Sequence, residues 1–227
     1  MISAVAFCPQ APVLVPGVAQ GAAGELDDLR TACRTAIRRL VAPGRQLVVL
    51  GDGAANARFA STSRGTFAGF GLDLAVSLGS DEPGPVDLPP SLTVGAWLLR
   101  DALGPNCGAV GYSIADPSEI DDHWDGGDLG LLVLGDGSAR RSVKAPGYFD
   151  ERAEAFDARI ARALADGDPD QLHLWQAGDA AALLATCAAA YELTARAAGG
   201  TLWHAELLYD DAPYGVGYFV ASWTARG

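Results

Sequence analysis

A chain of 227 residues with 49% hydrophobic and 19% charged side chains has enough apolar material for a sizeable core, which excludes a disordered protein and favours one domain, residues 1–227, over two. Its formal charge of −12 argues against nucleic acid and anionic membrane surfaces, both of which call for cations. Met1 runs directly into Ile-Ser-Ala-Val-Ala without a basic stretch, and no apolar run approaches the roughly 20 residues of a membrane span, so the expected location is the cytoplasm.

The first segment, Ile2 to Cys8, is short and apolar and reads as a buried strand. Pro9, Pro12 and Pro16 then stiffen a loop. From about Ala22 to Val41, Leu26, Leu29, Cys33, Ile37 and Leu40 recur at steps of three and four, the signature of one helix face. Pro43-Gly44 ends that helix, and Leu47 to Leu50 follows as a strand. Strand, helix, strand in this order predicts a parallel pair with a crossover. Further apolar runs lie at Leu72–Leu78, Ala109–Tyr112 and Leu129–Leu134, with a helix around Leu92–Leu103. Asp81 to Pro90, with four prolines and three acids, is a surface loop. A helix from about Asp150 to Asp166 buries Phe156, Ile160 and Leu164 and stops at Gly167. A second spans about Ala180 to Ala198 and ends at Gly199-Gly200. Two last apolar runs, Thr201–Leu208 and Val216–Trp223, flank a turn that suits a hairpin. The sum is an α/β fold, helices flanking a mixed sheet. Cys8, Cys33, Cys107 and Cys187 are scattered without CxxC spacing and read as reduced, mostly buried thiols.

Two segments nearly repeat each other, Gln46-Leu-Val-Val-Leu-Gly-Asp-Gly and Gly130-Leu-Leu-Val-Leu-Gly-Asp-Gly. Each is an apolar strand entering a turn whose glycines permit positive φ or close backbone approach. Ligands collect at the carboxyl ends of strands in open α/β sheets, so Asp52 and Asp136 converge there if their strands are parallel neighbours. Each aspartate could equally serve only its own turn. No phosphate loop and no nucleophile elbow is present. After the second copy, Ser138 leads into Arg140, Arg141 and Lys144, the last being the sole lysine. Such a cluster could clamp a carboxylate or phosphate, or simply pair with surface acids. Tyr148, Tyr209 and Tyr214 offer aromatic walls and hydroxyls. His123 sits in an acidic loop and is expected to be exposed; His173 and His204 alternate with apolar residues as edge or core positions. No HxxE, HxH or HExxH spacing supports a histidine metal site.

The opening Ala6-Phe-Cys-Pro-Gln-Ala-Pro-Val-Leu-Val-Pro16 resembles the P-H-x-P-L-L-x-P start of class III extradiol ring-cleavage dioxygenases, the LigB-like group related to protocatechuate 4,5-dioxygenase and the Memo proteins. Leu134-Gly-Asp-Gly-Ser-Ala139 is similar to that family's S-x-D-L-S-H turn. Phe149-Asp150 or Phe156-Asp157 before a helix, and the closing Tyr214-Gly-Val-Gly-Tyr-Phe-Val-Ala-Ser-Trp223, are similar too. Cys187 echoes a cysteine of the Memo C-terminal motif. The resemblance implies a LigB-like three-layer sandwich around a mixed, mostly parallel sheet. It also implies Fe(II) held by two histidines and a glutamate, with a further histidine as acid/base. Carried over, the first ligand falls on Gln10, the second in the Gly51-Asp52-Gly53 turn, and the acid/base histidine on Ala139. An amide is a poor Fe(II) ligand and alanine moves no proton.

The expectation is therefore a metal-free homologue, without a cofactor, that keeps the cleft for a small, anionic ligand. Gln10, Asp52, Asp136, Ser138, Arg140, Arg141, Lys144 and Tyr214 would line it. The alternatives are an oxidoreductase with an atypical Fe(II) site, a metal-independent reaction on an acidic small molecule, and an interaction subunit. A homo-oligomer is left open.

Overall fold

The computed structural model describes residues 1–120, 127–173 and 177–227; His123 lies outside them. β1 (Ile2–Cys8) leads through two 3₁₀ turns and the short α1 (Pro16–Ala19) into α2 (Asp27–Arg38). β2 (Gln46–Asp52), β3 (Ala57–Phe59), β4 (Arg64–Thr66) and β5 (Ala75–Ser77) follow, then α3 (Pro90–Leu103), β6 (Val110–Ile114) and β7 (Leu129–Leu134). The last third holds α4 (Ala153–Asp166), α5 (Pro169–Leu172), α6 (Ala177–Ala182), α7 (Ala188–Ala198), β8 (Trp203–Asp211) and β9 (Tyr218–Ala225). Seven strands form one mixed sheet in the order β3-β6-β2-β7-β1-β9-β8, while β4 and β5 make a separate ribbon. The four central strands are parallel and the outer three pair antiparallel.

The layers follow from the alternation of side chains along each strand. Ala4, Ala6, Cys8, Val49, Leu132 and Val220 face α2 and α3. Val5, Phe7, Leu50, Leu131, Val133 and Trp223 face α4, α5 and α7 on the other side. The result is a three-layer α/β sandwich with two apolar clusters back to back. Phe7 anchors the second cluster, edge-on to Trp223 at 4.8 Å and to Tyr191 at 5.2 Å. Trp223 donates from Nε1 to the Leu164 carbonyl, so burying the indole leaves no donor unpaired. The four cysteines are free, three of them buried.

Two expectations need correction. β1 and β2 are parallel but not paired, because β7 lies between them and bonds to both. All six residues of β7 are buried, and such a run is satisfied only where both faces and both edges are covered. The helix read from Ala180 to Ala198 is broken at 183–187. There the backbone is captured by the turn after β7: the Leu183 carbonyl accepts from Ala139 N and Ser138 Oγ, and Thr186 N donates to the Asp136 carbonyl. Leu184 adopts a φ of 56° in that break. Local periodicity cannot register such tertiary competition.

The turn after β7 is fixed by one carboxylate. Asp157 is only 1% exposed and stands on the apolar face of α4. Its Oδ1 accepts from Ser138 N at 2.8 Å, and its Oδ2 pairs with Arg141 at 2.9 Å. The carboxyl fits only because Gly137 and Gly217 lack side chains; a Cβ would stand 2.7 Å and 2.3 Å from its oxygens. Asp157→Ala should cost about 3 kcal/mol in urea denaturation, since it strands the partly buried Arg141 charge and the buried Ser138 N–H. A loss below about 1 kcal/mol would show that the turn is held by something else.

Candidate functional site

The insertion of β7 between β1 and β2 brings three strand ends side by side. Gln10 follows the end of β1, Asp52 ends β2, and Asp136 lies two residues beyond β7. The two Gly-Asp-Gly turns thus sit at the carboxyl ends of paired parallel strands. None of their glycines adopts a positive φ. They are needed for close approach instead: a Cβ at Gly53 would lie 2.5 Å from Ser113 Cβ, and one at Gly135 would lie 2.5 Å from Cys187 Cα.

Backbone bonds set the direction of each aspartate. Ser91 Oγ donates to the Asp52 carbonyl, and Asp136 N donates to Thr186 Oγ1 at 3.2 Å. Asp136 Oδ1 accepts from Gln10 N at 3.0 Å, and the Gln10 side chain bonds to the Asp52 carboxyl. Gln10 therefore bridges the two acids. Its Oε1 is enclosed without a hydrogen-bond partner among the described residues.

Electrostatics mark this pair. Burial pushes the Asp52 carboxyl up to about 6, opposed by the bond from Gln10. Burial also pushes Asp136 up to about 7, opposed by the Gln10 backbone N–H and helped by the charge of Asp52. Burial thus favours the protonated form of both acids, and the charge of Asp52 adds to that effect at Asp136. Cys187 and Tyr191 beneath them are fully buried, and burial raises both well above their usual range. Neither is a thiolate or phenolate nucleophile in this setting. Tyr218, at the start of β9, is raised in the same way, by burial first and the Asp136 charge second.

Asp52 opens onto a cavity of about 240 Å³. Its walls are mostly small and apolar, among them Ala115, Ala185 and Ala189, with Thr186 and Glu192 as further polar groups. Among the described residues its lining holds two acids and no cation.

The other expected residues are placed elsewhere. Ser138 is wholly buried, its hydroxyl donating to the Leu183 carbonyl and accepting from Arg140 N. Arg140 reaches the Gly147 carbonyl, and Arg141 is committed to Asp157. Lys144 is exposed on the loop that follows. Tyr214 donates to Glu25 on the far side of the β8–β9 turn. The expected cationic clamp is therefore a set of loop fasteners, because buried carbonyls and Asp157 demand donors more strongly than solvent does. His173 is exposed at the end of α5, and His204 is exposed on the edge strand β8.

Thr186, Cys187 and Asp157 were missed as neighbours of the pair. One sign was available for Asp157, an acid at the Ala153, Phe156, Ile160, Leu164 helical spacing where an apolar residue is expected.

The residues at the strand ends do not fit an iron centre. They supply two carboxylates and one amide, and a ring-cleaving Fe(II) site needs imidazole nitrogens. Among the described residues no group of three or more His, Cys, Asp or Glu is arranged to hold a metal ion.

The raised values carry a sign that can be tested. A carboxyl bound more tightly to its proton in the folded state than in the unfolded one stabilises the fold at low pH. That contribution is fully present below about pH 4 and is lost as pH rises through about 6 to 7. Asp136→Asn removes the penalty while keeping an acceptor for Gln10 N. It should raise stability at pH 8 by on the order of 2–4 kcal/mol, with the gain vanishing near pH 4 in denaturation series. A gain that is independent of pH would contradict the charge argument.

No protein-family model and no curated protein matches the sequence. Among solved structures the chain is similar to the uncharacterized protein JW3007 from Escherichia coli K12, at a TM-score of 0.50 and 14% identity. The likeness covers 98% of this chain and 99% of that one, and it concerns the fold alone.

Proposed function

We propose that the chain is a catalytically divergent relative of the class III extradiol dioxygenases that keeps the strand-end cleft as a small-molecule site. The observation that carries this reading is the bridged Asp52–Asp136 pair at the ends of β2 and β7, with Asp52 facing the alanine-walled cavity. The ligand presents hydrogen-bond donors, a hydroxyl or a protonated amine, rather than the anion expected from the Arg140–Lys144 run. An anion entering the cavity would meet Asp52 and Glu192 with no cation among the described lining residues to offset them. Carboxyls whose burial favours the protonated form can accept a bond from such a donor and return a proton to it. The alanine walls leave room for a short apolar body.

A second reading, ring cleavage at an atypical metal centre with oxygen ligands in place of the imidazoles of the usual iron site, draws on one observation. The enclosed Gln10 Oε1 has no described partner and adjoins two carboxylates, a set of oxygens suited to a hard cation.

Both readings are separated by titrating three ring compounds of similar size, catechol, benzylamine and benzoate, by calorimetry. Catechol or benzylamine should bind and lose about tenfold, near 1.4 kcal/mol, in Asp52→Asn. Ala185→Leu, which fills the cavity, should abolish the same binding. Binding of benzoate alone, or affinities unchanged in Asp52→Asn, would refute the site. Elemental analysis after anaerobic loading with Fe(II), Mn(II) and Zn(II) tests the second reading. A stoichiometric metal together with cleavage of catechol would establish it over the first.

A further inference from the structure

Away from the acid pair, the loop between β7 and α4 displays an unusual amount of apolar surface. Val143, Tyr148 and Phe149 are 63%, 64% and 53% exposed, and Leu184 on the neighbouring break is 45% exposed. Leu184 adjoins the loop directly, since a Cβ on Gly147 would stand 2.7 Å from its Cδ1. At the exposures given, the four side chains leave roughly 400 Å² of apolar surface in water, the size of patch that marks interaction sites on monomers.

This surface is held outward by a fastened backbone. Gly147 N donates to the Ala139 carbonyl, Asp150 N to the Arg140 carbonyl and Arg141 N to the Gly215 carbonyl. Arg140 closes the loop on the Gly147 carbonyl. Tyr148 and Leu184 sit at φ of 62° and 56°, a region that side-chain-bearing residues rarely occupy. Two of the three such residues among those described are therefore large apolar groups aimed at solvent in one patch. A segment with these properties is preorganised for contact.

Beside the knobs lies a matching recess. A groove of about 380 Å³ runs between α4 and α6, with Ala155, Phe156 and Leu183 in its floor and Glu151, Arg152, Arg159 and Asp179 at its edges. Leu183 links it directly to Leu184, and Glu151 follows Phe149 by two residues. Knob and groove thus share one face. So do charges of both signs: residues 138–152 carry four cations and two acids within a chain of net −12. A two-fold contact requires one surface to hold both halves of each interaction. A different partner would need only one half.

We propose that this face is the interface between two copies of this chain, with Tyr148 and Phe149 of each copy seated in the α4–α6 groove of the other. The exposed charges of this face, Lys144, Arg152 and Arg159 against Glu151 and Asp179, nearly balance, so two strongly acidic molecules meet here without adding to their repulsion.

Sedimentation velocity on the full chain from about 1 to 100 µM tests this, with light scattering for the mass. The expected species has twice the 23.4 kDa of the chain. Tyr148→Asp should raise the dimer dissociation constant at least tenfold. Ala155→Arg, on the exposed groove side of α4, should do the same from the other half of the contact. Tyr148→Gly separates interface from fold, because glycine suits the left-handed backbone. It should melt no lower than the parent chain and still lose dimer. A parent chain that stays monomeric at 100 µM overturns the proposal, and so does a dimer indifferent to both Tyr148→Asp and Ala155→Arg.

Discussion

The burial of one carboxylate, Asp157, is the interaction on which the candidate site rests. An acid on the apolar face of a helix is costly unless its oxygens are bonded, and here the Ser138 N–H and Arg141 satisfy them. Those two bonds fix the path of the chain just beyond β7. The same turn then reaches across to Leu183 and Thr186 and interrupts what would otherwise be one long helix. It also carries Asp136, whose carboxyl meets Gln10 N, and through Gln10 it is connected to Asp52. Structural acid and candidate functional acids therefore belong to a single chain of hydrogen bonds running from α4 to β2. The fully paired Asp157 keeps its place by geometry, whereas Asp52 and Asp136 face each other with an amide and no cation between them.

Much of this was legible in the sequence, and the reasons are physical. Uninterrupted apolar runs fix strand positions well, so Ile2–Cys8 and Leu129–Leu134 coincide with β1 and β7. The repeated Gly-Asp-Gly gave away the two strand ends, because a small-acid-small turn after a buried strand has few other uses. What the sequence could not convey is which donors turn inward. Arg140, Arg141 and Lys144 look alike as a basic run, yet only Lys144 is left in solvent. That outcome depends on carbonyls at Gly147 and a carboxylate at Asp157, seven and sixteen residues away along the chain. The break at 183–187 was hidden for the same reason. Alanine-rich sequence there favours helix, and the competing bonds come from a distant turn.

Four arginines of this chain share a pattern. Arg30 bonds the Leu14 carbonyl, Arg45 the Leu40 carbonyl, Arg140 the Gly147 carbonyl, and Arg196 the carbonyls of Pro117 and Ile120. Loops that would otherwise leave backbone acceptors unpaired are tied to the sandwich by guanidinium groups, whose several donors suit that work better than a lysine. In a chain with 16 cations against 28 acids, this use draws four of the cations away from ligand recognition. The strand-end cavity is walled by alanine and equipped with carboxylates. Under the proposed reading a guest brings its own hydrogen-bond donors or its own positive charge, because the described lining holds Asp52 and Glu192 and no cation.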